Sequence, residues 1–175
     1  MRNSADHLDR QRAEVTPIRV FLVDDYELVW RGLTDLLGST TDIVVLGEAA
    51  TCAVALELIP AAAPHIALLD SRLPDGSGID LCRELRSVKP EVRCVILTSH
   101  HDGEALLASV MAGASGYLLK QVRGSSLVDG IRQVAAGRSL PDPAVTRTLT
   151  GRLRGQRTYG LGGRLVDHPE IQRPM

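Results

Sequence analysis

Five short apolar runs recur along the chain, each five to eight residues long and each bounded by polar or turn-forming residues. They are rich in Val, Ile and Leu, and runs of this length and composition predict strands. The five predicted strands are IRVFLV (18–23), DIVVLGEA (42–49), HIALLD (65–70), VRCVILTS (92–99) and GYLLK (116–120).

A segment with helical spacing of its apolar residues follows each predicted strand. In the first such segment, apolar residues recur on one face from Leu28 to Leu37, and Gly38 ends the pattern. The predicted helices cover residues 27–38, 51–60, 79–88, 102–114 and 125–137. Three of them have a residue suited to capping the first turn, namely Thr51, Ser77 and Ser126.

Strand and helix therefore alternate five times, which predicts an α/β fold with one parallel sheet and helices on both of its faces. In such sheets ligands bind at the carboxyl ends of the strands. Polar residues stand at this place in four of the five predicted strands. They are Asp24 and Asp25 after the first strand, Asp70 in the third, Thr98 and Ser99 in the fourth, and Lys120 in the fifth.

Three carboxylates at one edge of a sheet need a positive partner, because nearby like charges and loss of solvent both disfavour ionisation. Oxygen donors without Cys or His suit magnesium, which binds one or two carboxylates together with phosphate oxygens. A lysine and a hydroxyl can hold the other oxygens of a phosphoryl group, and an aspartate can be the nucleophile of phosphoryl transfer. The residues thus predict a magnesium ion between the acidic pair, Asp24 and Asp25, and Asp70.

Composition narrows the class of protein further. The chain of 175 residues is 44% hydrophobic with a net charge of −1, which suits one globular domain with polar tails. No apolar run approaches the ~18 residues of a membrane span, and the N-terminus has no apolar signal segment, so we expect no membrane contact. Cys52, Cys82 and Cys94 form no zinc or redox motif and indicate small core residues of a reduced, cytoplasmic protein.

Four motifs taken together resemble the receiver domain of bacterial two-component response regulators: VDD (23–25), LLDSRLPDGSGID (68–80), LTS (97–99) and GYLLK (116–120). The resemblance covers residues 18–137. It implies a flavodoxin-like (CheY-like) fold, a doubly wound five-stranded parallel sheet of strand order 2-1-3-4-5. Three stretches, VDDYELVWRGL, MAGASGYLLK and PDPAVTRTL, are most similar to the NarL/FixJ (LuxR-type) subfamily. Members of that subfamily usually carry a DNA-binding helix-turn-helix after a linker.

The resemblance also implies roles for individual residues. It makes Asp70 the residue that accepts phosphate from a sensor histidine kinase. It implies magnesium held by Asp24, Asp25, Asp70 and the backbone carbonyl of Arg72. Phosphate binding and switching would fall to Thr98, Ser99, Tyr117 and Lys120. The expected chemistry is limited to magnesium-dependent self-phosphorylation and slow self-dephosphorylation, with output through a homodimer or a heterodimer with another regulator.

Three parts of the chain are expected: a disordered arm over 1–17, the receiver domain over 18–137, and a linker and tail over 138–175. The tail shows no helix-turn-helix pattern, and residues 18–140 carry eleven basic and fifteen acidic residues. We therefore expect DNA contact only where an output domain is supplied elsewhere. The sequence departs from the usual family pattern at Tyr26, Trp30 and Gln121.

Other interpretations stay open at this point. The chain could be a remnant or fragment of a DNA-binding transcription regulator whose output domain is missing. It could be a haloacid-dehalogenase-type phosphatase, although that class needs a D-x-D arrangement after strand one, and this strand ends D-D-Y. It could also be a pseudo-receiver that only dimerises, but this leaves the joint presence of Asp70 and Lys120 unexplained.

Overall fold

Five parallel strands form the central sheet of the computed structural model, which describes residues 16–100, 102–121 and 124–140. They are β1 (Ile18–Val23), β2 (Ile43–Ala49), β3 (Ile66–Asp70), β6 (Arg93–Thr98) and β7 (Gly116–Leu119). The remaining two strands, β4 (Arg72–Leu73) and β5 (Gly76–Ser77), form a separate antiparallel hairpin. The order in the sheet is β2-β1-β3-β6-β7, so the predicted order 2-1-3-4-5 is confirmed for the five strands of the main sheet.

Helices cover both faces of this sheet. They are α1 (Glu27–Gly38), α2 (Cys52–Ala62), α3 (Gly78–Val88), α4 (Gly103–Met111) and α5 (Gly124–Ala135). Successive residues of a strand point to opposite faces. In β1, Val20 and Leu22 accordingly pack with α1 and α5, whereas Phe21 and Val23 pack with α2, α3 and α4. No helix in the described ranges is long and apolar enough to cross a membrane.

The middle strand β3 is the most deeply enclosed part of the sheet, because it has a strand on each side and helices above and below. All five of its residues are buried. Each fully buried leucine or isoleucine of such a strand contributes about 1.5–3 kcal/mol relative to an exposed one. The same burial applies to Asp70 at its end, which is only 5% exposed. The strand thus fixes the position of this carboxylate firmly.

Two of the three predicted caps are confirmed. The Thr51 hydroxyl accepts from the Val54 N–H at 3.2 Å, and the Ser77 hydroxyl accepts from the Ile79 N–H at 3.1 Å. The prediction for Ser126 is wrong: α5 begins at Gly124, so Ser126 lies inside its first turn and does not precede the helix as a cap. The start of that helix lies against α1, where a Cβ at Gly124 would come within 2.8 Å of Leu36. Helix packing, which the cap pattern does not encode, accompanies this earlier start.

The helix α2 also differs from its predicted extent, because it continues past Pro60 to Ala62. A proline in the last turn removes one backbone donor, and the remaining bonds of the turn can still form. The helix ends where Ala63 adopts a left-handed conformation, with φ of 47°, and donates its N–H to the Ile59 carbonyl at 3.0 Å.

After α5 the chain returns to the edge of the sheet. Gly137 turns it with a φ of 90°, and Leu140 then pairs with β7. The Leu140 N–H donates to the Ser115 carbonyl at 2.8 Å, and the Leu140 carbonyl accepts from the Tyr117 N–H at 2.8 Å. Residues up to 140 are thus bonded to the receiver sheet, three positions beyond the boundary expected at 137. Residues 1–15 and 141–175, which include most of the expected arm and tail, lie outside the described residues.

Candidate functional site

The carboxyl edge of the sheet brings the predicted polar residues together. Asp24 directly follows β1, Asp70 ends β3, Thr98 ends β6 and Lys120 directly follows β7. Asp24, Asp70 and Thr98 are at most 7% exposed, whereas Asp25 is exposed. The carboxyl ends of parallel strands lie at one edge of the sheet, and β1, β3, β6 and β7 are neighbours in it. The four residues at these strand ends therefore form a cluster.

Three carboxylates form the centre of the site. Oxygens of Asp24, Asp25 and Asp70 all lie within 4.8 Å of one another. Backbone donors orient two of these side chains: the Tyr26 N–H donates to Asp24 Oδ1 at 2.8 Å, and the Arg72 N–H donates to Asp70 Oδ1 at 3.2 Å. A closely spaced donor set made only of carboxylate oxygens fits a hard cation such as magnesium.

Lys120 supplies the positive charge of the cluster. Its Nζ donates to Asp24 Oδ2 at 2.6 Å and lies 3.0 Å from Asp70 Oδ2. Burial raises the pKa of Asp70, although the hydrogen bonds from Arg72 and Lys120 act in the opposite direction. Burial also acts to lower the pKa of Lys120, but its bonds to Asp24 and Asp70 outweigh that effect, so the pKa is raised. Lys120 is therefore a firmly protonated cation between two carboxylates.

Thr98 lies beside this cluster, with its hydroxyl turned toward the following loop. Its Oγ1 donates to the His100 carbonyl at 3.2 Å, and the His100 N–H approaches the same oxygen at 3.4 Å. The Thr98 carbonyl accepts from the Lys120 N–H at 2.7 Å, which ties the ends of β6 and β7 together. The residue is thus bonded to local backbone rather than to any carboxylate of the cluster.

Tyr117 stands apart from the acidic cluster and packs in the core on the side of α2, α3 and α4. It is 8% exposed, and its buried hydroxyl has no hydrogen-bond partner within the part of the chain that the structure describes. An unsatisfied buried hydroxyl costs about 1–3 kcal/mol. Its present position therefore leaves the hydrogen-bonding capacity of the Tyr117 hydroxyl unused among the described residues.

A cleft of about 490 Å³ opens above the cluster. Its polar wall includes the predicted site residues Asp25, Asp70, Arg72, Thr98, Ser99 and Lys120. Its apolar wall includes Leu73 and Pro74 of the hairpin. Asp24 and Tyr117 do not line the cleft, and Ser99 and Arg72 reach it without forming part of the acid cluster. Seven of the eight predicted site residues thus lie at one edge of the sheet, and the eighth, Tyr117, lies behind it in the core.

The comparisons with known proteins agree with this geometry. The family model of the response regulator receiver domain matches residues 20–132. The chain belongs to this family. It is 51% identical over 138 residues to the DNA-binding transcriptional activator DevR/DosR of Mycobacterium tuberculosis, an alignment that covers 79% of this chain and 64% of that protein. It is 30% identical over 141 residues to the nitrate/nitrite response regulator protein NarL of Escherichia coli, covering 81% and 65%.

A solved structure shows the same architecture. The crystal structure of a LuxR-family two-component response regulator from Aurantimonas sp. superimposes with a TM-score of 0.72 at 30% identity, covering 79% of this chain and 99% of that one. The receiver chain spans less than two thirds of the length of the two regulators above.

Membership in the family indicates what sites of this kind bind and which proteins they work with. Receiver domains bind magnesium at an acidic pocket, which corresponds here to Asp24, Asp25 and Asp70. Response regulators of this type work with sensor histidine kinases and often dimerise. They are signalling proteins and not enzymes in the ordinary sense.

Two residues that support the receiver site escaped the sequence analysis. Gly78, the first residue of α3, lies so close to β3 that a Cβ there would meet the Asp70 carbonyl oxygen at 2.0 Å. Asp75, at the tip of the hairpin, accepts hydrogen bonds from the first two N–H groups of α2. No periodic pattern in the sequence relates Gly78 to β3 or Asp75 to α2.

Proposed function

We propose that this receiver domain accepts a phosphoryl group on Asp70 from a sensor histidine kinase in a magnesium-dependent reaction. The observation that carries the proposal is the position of Lys120, which contacts both Asp24 and Asp70 within the three-carboxylate cluster. One nucleophile, two further carboxylates and one cation therefore stand at the same edge of the sheet.

The chemistry follows from these contacts. An oxygen of the ionised Asp70 carboxylate attacks the phosphorus, a new O–P bond forms, and the bond from phosphorus to the donor breaks with its electron pair leaving on the donor. Both Asp70 oxygens already accept hydrogen bonds, one from the Arg72 N–H and one from Lys120. Lys120 has a flexible stem and can follow the incoming phosphoryl oxygens, which frees the second Asp70 oxygen and neutralises transferred charge.

Asp24, Asp25 and Asp70, with the carbonyl of Arg72, are the residues that would hold magnesium. When bound, the ion supplies positive charge close to the phosphoryl oxygens, beyond what Lys120 provides. Asp25 is exposed to solvent, so a magnesium ion bound to it can keep several of its water ligands. The buried Asp24 holds Lys120 in place.

The test uses acetyl phosphate as donor and intact mass as readout. We expect a mass increase of about 80 Da, one phosphoryl group, in the presence of magnesium. Chelation of the ion with EDTA should abolish the increase, because the remaining cation, Lys120, cannot alone offset three carboxylates and a phosphoryl group. Equal labelling with and without EDTA would rule out a magnesium-dependent reaction.

We further propose that Thr98 and Tyr117 report phosphorylation to the face formed by α4, β7 and α5. The Thr98 hydroxyl now bonds backbone atoms of His100, an arrangement that it can exchange for a phosphoryl oxygen. A ligand shifts a conformational equilibrium only through contacts that differ between the two states. The new bond to Thr98 supplies such a difference, and the unsatisfied Tyr117 hydroxyl supports a side chain that has an alternative position.

Replacing Thr98 with alanine should separate phosphorylation of Asp70 from the dimerisation that follows it. We expect Thr98→Ala to take up phosphate, because Asp70, Lys120 and the acidic pair remain, but to lose most phosphate-driven dimerisation measured by sedimentation. Thr98→Ser keeps the hydroxyl and serves as the matched control, with dimerisation close to wild type. If wild type dimerises on phosphorylation and Thr98→Ala does so equally, the proposed switch role of Thr98 is wrong.

The partners belong to the same proposal: a sensor histidine kinase as donor, and a second copy of the chain or another regulator as dimer partner. The three cysteines are free thiols, which supports a reduced, cytoplasmic setting. DNA contact is proposed only where an output domain is supplied elsewhere. DNA binding is named for the DevR/DosR relative, and a fragment of such a regulator remains the second interpretation of this chain.

A further inference from the structure

The hairpin formed by β4 and β5 begins only two residues after Asp70. It has two paired positions, Arg72 with Ser77 and Leu73 with Gly76, and its tip is formed by Pro74 and Asp75. A hairpin this short is not stable by itself in water. Its position, and with it the position of the Arg72 backbone beside the acid cluster, must therefore be set by contacts with the rest of the domain.

Asp75 makes such a contact with α2, although the two are more than twenty residues apart in sequence. Its Oδ1 accepts from the Cys52 N–H at 2.8 Å, and its Oδ2 accepts from the Ala53 N–H at 3.0 Å. The first N–H groups of a helix have no partner within the helix and carry partial positive charge. Both oxygens of one carboxylate are thus used to join the hairpin tip to the helix start.

The helix start is in turn joined to the other side of the acid cluster. α2 begins three residues after Ala49, the last residue of β2, and the Ala49 carbonyl accepts from the Asp24 N–H at 3.1 Å. On the opposite side, the Arg72 N–H donates to Asp70. Contacts therefore run from Asp24 through the start of α2 and Asp75 to the hairpin, and from there to Asp70.

We propose that Asp75 is a positioning residue of the phosphorylation site, which holds the hairpin against the start of α2 so that the Arg72 backbone and Asp70 keep their places opposite Asp24 and Asp25. The inference rests on the proposed function, because it concerns the phosphorylation site. The hydrogen bonds of Asp75 that support it do not depend on that function. Asp75 touches neither the phosphoryl group nor the metal; it acts through the backbone of residues 70–77.

The chain offers a matched control for this role. Thr51 caps the same helix start by accepting from the Val54 N–H, yet it makes no side-chain hydrogen bond to the hairpin in the described residues. Thr51→Ala and Asp75→Ala therefore both weaken the start of α2, and only Asp75→Ala releases the hairpin. A difference between the two variants isolates the positioning role from helix stability.

The experiment measures binding of magnesium alone by titration calorimetry on the full chain, together with phosphorylation rates by acetyl phosphate across magnesium concentrations. Residues behind the direct ligands typically change metal affinity by about 10–100-fold when they are replaced. We expect Asp75→Ala to weaken magnesium binding by about 10-fold, at the low end of that range, because the three carboxylates remain. The maximal rate at saturating magnesium should recover to within a few-fold of wild type.

Thr51→Ala should keep the wild-type magnesium affinity while unfolding at a lower temperature. If Asp75→Ala fails to fold, Asp75→Asn, which retains one acceptor oxygen, should show a smaller loss of affinity in the same direction. The inference is overturned if the Asp75 variant that folds binds magnesium like wild type, or if Thr51→Ala weakens binding equally. Should wild type take no phosphate at any magnesium concentration, the proposed function fails, and the calorimetric comparison still decides the role of Asp75.

Discussion

Asp70→Asn should fold normally and take up no stable phosphoryl group, so the mass increase of about 80 Da seen for wild type should be absent. The amide oxygen of asparagine is a poor nucleophile, and β3 itself carries no other carboxylate. Intact mass after incubation with acetyl phosphate and magnesium measures the result. Asp80→Asn is the matched control, because Asp80 lies exposed on α3, away from the cleft, and pairs with Arg83.

The same variant should not lose stability. Burial raises the pKa of Asp70, so its charged form is disfavoured in the folded protein. A neutral asparagine removes that cost and leaves Lys120 paired with Asp24. The unfolding temperature, measured by circular dichroism without magnesium, should therefore equal or exceed that of wild type. Labelling of Asp70→Asn to the wild-type extent would show that the phosphate goes to another residue.

Gly78→Ala should destabilise the domain strongly. The added Cβ would lie 2.0 Å from the carbonyl oxygen of Asp70 and 2.9 Å from its carbonyl carbon. These are backbone atoms of an enclosed strand, so α3 and β3 would have to move apart. Overpacking of this kind costs about 1–3 kcal/mol and occasionally more. Because the displaced backbone is that of Asp70 itself, phosphorylation should slow as well.

Gly32→Ala provides the contrast for that measurement. Gly32 lies inside α1, and a Cβ there would meet no atom within 4 Å. Alanine is favoured over glycine within a helix by about 1 kcal/mol, so this variant should become more stable in urea unfolding. A Gly78→Ala variant that gains stability as Gly32→Ala does would contradict the close packing of α3 on β3.

Much of this fold could be predicted because short apolar runs and segments with helical spacing alternate so regularly. The apolar runs of 18–23 and 65–70 fixed the strands, and the rule that parallel strands share one carboxyl edge then placed Asp24, Asp70 and Lys120 together. The resemblance to receiver domains added the strand order. These features depend on local composition and on sheet geometry, which one sequence can display.

Contacts between segments were beyond the reach of such patterns. The bond between Asp75 and the start of α2 depends on where a loop lies in space, and a D-G turn gives no sign of its partner. The start of α5 was misplaced because packing of Gly124 on Leu36 has no cap signature. The side of the sheet on which Tyr117 lies was also not predictable, because successive residues of the four-residue strand β7 point to opposite faces.

The pairing of Leu140 with β7 links the end of the described chain to the strand that carries Tyr117. The Leu140 carbonyl accepts its hydrogen bond from the backbone N–H of Tyr117, the residue whose side chain is proposed to move with Thr98. One hydrogen bond thus joins the backbone of Tyr117 to the last residue that the structure describes. A tilt of β7 at Tyr117 would therefore move Leu140 with it, and it would change the direction in which the chain continues after Leu140.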